Sequence, residues 1–125
     1  MSTTPDMPSM PGPEQPAIPL APAVRTAYEE LYSHYEEAIE NTDDTALESS
    51  LMDSQLAVSK IISLDNAAII QKDSASFAAV LKQIGIANKG LTDLQAQIAK
   101  VAGNIAKYAT IVSGINKVLS MVPGI

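Results

Sequence analysis

The sequence predicts an all-α fold: an up-and-down bundle or elongated helical hairpin of three to four helices with coiled-coil-type packing, preceded by a disordered Pro-rich N-terminal tail. Three observations carry this. Apolar residues recur at helical spacing along most of the chain. They form an unbroken heptad series through the last third. Seven of the eight prolines are confined to the first 22 residues, so the rest is free to be helical. Composition agrees. Hydrophobic residues make up 46% against 18% charged, enough for a folded core, and aromatics are limited to four Tyr and one Phe. Eighteen alanines favour helix over any other structure.

Residues 1–22 read as a tether. Proline at 5, 8, 11, 13, 16, 19 and 22 removes backbone donors and locks φ, which leaves polyproline II or disorder. Ile18 and Leu20 are the exception, apolar enough to dock on the body. Residues 23–125 are the helical domain.

The first helix is expected from Pro22 or Ala23 to Asn41, with proline suited to the first turn. Val24, Tyr28, Leu31, Tyr35 and Ala38 or Ile39 form one face, with Tyr32 beside it. Thr42-Asp43-Asp44 interrupts, and Thr45-x-x-Glu48 reads as a capping box. The second helix carries Leu47, Leu51, Val58 and Ile61, with Met52, Leu56 and Ile62 broadening the same stripe. Asp65 or Asp73-Ser74 marks a kink or a new cap.

From Phe77 the pattern sharpens. Phe77, Ile84, Leu91, Ile98, Ile105, Val112 and Leu119 lie seven apart, and Val80, Ala87, Leu94, Val101, Tyr108, Ile115 and Val122 follow each by three. Every one of these positions is apolar, as a coiled-coil seam requires. Asn88-Lys89-Gly90 resembles a helix stop with Gly beyond the last turn, and Thr92-x-x-Gln95 a new cap. The favoured division is therefore 74–88 and 92–122, with a continuous helix through Gly90 as the alternative. Beside the seam runs a row of small residues: Ala99, Ala102, Ala106, Ala109, Ser113, Asn116 and Ser120. Small side chains let a neighbouring backbone approach closely. Ile111 and Val118 add a third apolar flank. Leaving the aliphatics of this last stretch in water would forfeit ~10 kcal/mol or more, so helices 1 and 2, another chain, or lipid must cover them.

Several functions are disfavoured. With no cysteine, thiolate zinc sites and cysteine nucleophiles are excluded. A net charge of −6 argues against nucleic acid as a partner. His34 sits between Glu30 and Glu37 on one face, but one histidine cannot supply a di-iron bundle site, and no metal or cofactor is expected. Phosphate-loop and nucleophile-elbow motifs are absent, so no enzyme is expected. Charge is asymmetric: nine acids and no Lys or Arg between Glu29 and Asp53, then five lysines facing one acid from Lys82 onward. Such halves attract each other within one chain or between copies.

The expected function is a non-enzymatic helical interaction module, an adaptor, chaperone-like or assembly subunit that self-associates. Its protein partner or second copy is expected on Tyr28, Tyr32 and Tyr35 of the first helix and on Ala99, Ala102, Ile105, Ala106, Tyr108, Ala109, Val112, Ile115, Leu119 and Val122 of the last. One alternative is a membrane-active protein such as a component of an α-helical pore-forming toxin. Another is an acidic immunity or antitoxin-type partner of a basic protein. No apolar run spans a bilayer and the N-terminus has no basic or apolar signal region, so the expected location is the cytoplasm, or outside by a route without a standard signal peptide.

Overall fold

The computed structural model describes residues 17–101 and 108–122, the side chain of Val101 excepted. These residues form four helices and no strand: α1 (Pro22–Asn41), α2 (Thr45–Gln71), α3 (Ser74–Val101) and α4 (Ala109–Met121). Cross-helix hydrogen bonds fix their directions. Tyr35 pairs with Ser54 and Arg25 with Asp65, so α2 runs antiparallel to α1. Tyr108 reaches Thr42 and Lys117 reaches Glu30, which sets α4 antiparallel to α1. Gln95 reaches Asn116 and Asn88 reaches Val122, which does the same for α3 and α4. The result is an up-and-down bundle in which α2 packs on α3, and α1 packs on both α2 and α4.

Local chemistry explains the boundaries. Pro22 opens α1 at its first position, where a missing N–H costs nothing. The cap of α2 lies one residue earlier than the capping box implies. Asp44, not Thr45, accepts the Leu47 N–H at 2.7 Å, because a short carboxylate reaches an N-terminal amide and favours the helix dipole. The second helix is not interrupted at Asp65 but continues to Gln71. Lys72 then turns the chain in the left-handed region at φ 53, unusual for a residue with a Cβ. Asp73 starts α3 by accepting the Ser76 N–H at 2.8 Å. That bond holds its carboxyl below the ordinary range.

The expected stop at Gly90 does not occur: α3 is continuous from Ser74 to Val101. The seam explains why. Val80, Ile84, Ala87, Leu91, Leu94 and Ile98 are all buried, so the helix is held from both sides of Gly90. A mid-helix glycine costs only about 1 kcal/mol, less than interrupting that stripe would. Asn88, read as part of the stop, is instead a core residue. It accepts the Tyr28 hydroxyl at 2.9 Å and donates to the Val122 carbonyl at 3.0 Å, tying α1 and α3 to the end of α4. Thr92 caps nothing; its hydroxyl bonds back to the Asn88 carbonyl.

In α4 the buried stripe is Tyr108, Ile111, Ile115, Val118 and Val122, while Val112 and Leu119 are half-buried. The stripe has rotated from the heptad phase toward α1, because α4 is a separate helix wedged between α1 and α3. Gly114 marks a close approach of α1 and α4. A Cβ there would stand 3.2 Å from Leu31 Cδ1 and 3.4 Å from His34 Cδ2.

The apolar stretch from Tyr108 to Val122 is thus covered from within. At the opposite end, residues 17–20 act as a strap. Leu20 is buried in the core with Ile18 packed against it, and the Leu20 N–H donates to Asp65 at 2.8 Å. Asp65, sealed from solvent, also receives Arg25 at 2.8 Å. This part of the expected tail belongs to the folded body. Residues 1–16 lie outside the described residues.

Candidate interaction surface

Two surfaces stand out once the core is closed. The first is a groove of about 420 Å³ between α1 and α4, floored by Ala27, Ala109 and Gly114 and walled by Glu30, His34, Thr110, Ser113 and Lys117. It exists because small residues let the two backbones approach, leaving longer side chains at the rims. Lys117 Nζ bridges to Glu30 Oε1 at 3.1 Å across it, an exposed pair that contributes no more than about 1 kcal/mol. Among the described residues no three His, Cys, Asp or Glu side chains group as metal ligands do.

The second surface is the outer side of α2 with the adjoining flank of α3. Met52 is 54% exposed, Leu56 57%, Ile70 80% and Ile86 on α3 55%. Met52 and Leu56, expected to broaden the core stripe, point to solvent instead. The reason is angular: Leu47, Leu51, Ser54, Val58, Ile61, Asp65 and Ala68 already fill the inward face, and positions 52 and 56 lie on the opposite side of the helix. Between α2 and α3 runs a shallow groove of about 280 Å³ whose rim includes Asp53, Ala57, Ile86, Gly90 and Asp93. Gln83 Nε2 joins the two helices by donating to the Ala57 carbonyl at 3.1 Å. No family model, curated protein or solved structure matches this chain.

The residues singled out from the sequence fall into four groups. Tyr28, Tyr35, Tyr108, Ile115 and Val122 are enclosed by the chain's own helices. The hydroxyl of Tyr28 is spent on Asn88, that of Tyr35 on Ser54 and that of Tyr108 on Thr42. Val112 and Leu119 pack half-buried against the same core. Tyr32, Ala99 and Ala109 are exposed, and Ala109 lines the α1–α4 groove. Ala102, Ile105 and Ala106 lie outside the described residues. Sequence reasoning missed Ile86 and the outward direction of Met52 and Leu56. A signal for the latter exists. Ser49, Met52, Leu56, Ser59, Ser63, Asn66 and Ile70 alternate three and four apart on the outer side of α2, a second heptad row opposite the core row. Serines at three of its positions hide it from a search for apolar residues alone.

Proposed function

We propose that this protein is a non-enzymatic helical interaction module, an adaptor or assembly subunit, and that the outer row of α2 is its working face. The observation that supports this reading is the double-sided character of α2. Its inner row is consumed by the core, yet its outer row carries Met52, Leu56 and Ile70 in water. A helix apolar on both sides of its axis has partners on both sides. Clusters of exposed large aliphatics mark interaction sites more often than scattered single ones do. The face lies on a rigid helix of 27 residues, so it presents fixed geometry rather than an adaptable loop.

A photo-crosslinking amino acid placed at Leu56 in the protein's own host tests this. The reading expects a discrete adduct from Leu56 that is absent from a matched probe at Glu37 on the acidic side of α1. Adducts from Glu37 alone would contradict it and favour a basic partner for α1.

A further inference from the structure

We infer that the outer row of α2 pairs antiparallel with the same row of a second copy, about a two-fold axis passing between Leu56 and Ala57. The inference rests on reading α2 as the interaction face and names its occupant. Charge selects the partner and the register together. Asp53 and Lys60 are exposed on one flank of the row, two helical turns apart, too far to pair with each other. Neither has an ion-pair partner among the described residues. In an antiparallel pair, corresponding flanks of the two helices face each other. Placing Asp53 of one copy against Lys60 of the other places that copy's Asp53 against the first copy's Lys60, so one register satisfies four charges. Only a self-complementary, isologous contact does this with a single surface.

The apolar groups nearest the axis fall where that register needs them, while Ile70 projects past the paired ends, opposite position 43 of the other copy. Leu56 lies beside the axis, Met52 one turn away, and Ser49, Ser59 and Ser63 are small enough to let the helices approach. Ile86 adds to the same centre from α3. It shares the rim of the α2–α3 groove with Asp53 and Ala57, so it lies within about a turn of the axis on the flank that carries Asp53. A heterologous partner would have no reason to find Asp53 and Lys60 at reciprocal positions about the most exposed leucine of the chain.

Sedimentation velocity across a wide concentration range, with circular dichroism as a control for folding, tests the pairing. The wild-type chain is expected to dimerise. Leu56→Asp should be monomeric with an unchanged helical spectrum, because Leu56 supports nothing inside the monomer. Asp53→Lys and Lys60→Asp should each weaken association about tenfold by turning two attractions into two repulsions, and the double variant D53K/K60D should recover it. A wild-type chain monomeric throughout, a dimer indifferent to Leu56→Asp, or a double variant no better than either single one overturns the inference. In those cases crosslinking to a different protein from Leu56 still upholds the interaction face, so the two readings fail separately.

Discussion

Tyr28 and Tyr35 show how much one residue type depends on its seat. Both lie on the face that the helical spacing selects, and both are sealed in the core, where loss of hydration disfavours the phenolate. Burial pushes the Tyr35 hydroxyl up to about 12, against a smaller opposing effect of its bond with Ser54, and raises Tyr28 further. The sign follows by linkage. Below pH ~10 both states keep these protons. Above it the unfolded chain releases them and the folded chain does not, so stability falls as pH rises from about 10 toward 12, by up to about 1.4 kcal/mol per pH unit for each group. Alkaline titration followed by tyrosinate absorbance should therefore show a late, cooperative step coincident with loss of helix. In Tyr35→Phe that step should shrink, and stability at neutral pH should drop by about 1 kcal/mol because the Ser54 hydroxyl is stranded. Tyrosines that all ionise near pH 10 in a still-folded chain would refute the burial.

Periodicity marks the first two helices, because apolar spacing reports directly on the buried face. The helix expected over 92–122, however, is divided: residues 92–101 complete α3, and α4 is a separate helix running antiparallel to it. Pro22 to Asn41, the interruption at Thr42 to Asp44, and the start near Asp73-Ser74 all stand where turn and cap chemistry places them. The errors have physical causes. Gly90 suggests a stop on local grounds, yet the tertiary burial of Leu91 and Leu94 overrides a weak propensity. Gly114 carries no signal of its own in the sequence. Its role depends on what lies opposite, namely Leu31 and His34 of α1, and no single-helix pattern contains that. Gly114→Leu should force α4 off α1 and cost about 1–3 kcal/mol by thermal or denaturant unfolding, while sparing the α2–α3 hairpin. A variant as stable as the parent would show that the two helices do not meet there. The outward direction of Met52 and Leu56 was likewise hidden, since an apolar residue beside a core stripe looks the same whether it widens the stripe or starts another.

For the molecule as a whole, the question posed by the apolar C-terminal stretch is what covers it. Among the described residues, α1 and α3 do, helped by the Asn88 bridge to Val122. The acidic and lysine-bearing halves meet within one chain at Glu30 and Lys117. No helix among the described residues is long and apolar enough to cross a membrane. The face we propose for a partner is the far side of α2, displaced from the residues that the heptad pattern alone would nominate. Hydrogen exchange measured by mass spectrometry at rising protein concentration separates these surfaces in one experiment. Amides of α4 should be protected already in the dilute chain, and added protection at high concentration should be confined to α2 around Leu56 and to α3 around Ile86. Protection of α4 that develops only as concentration rises would mean the C-terminal stretch waits for another chain, contrary to the closure described here.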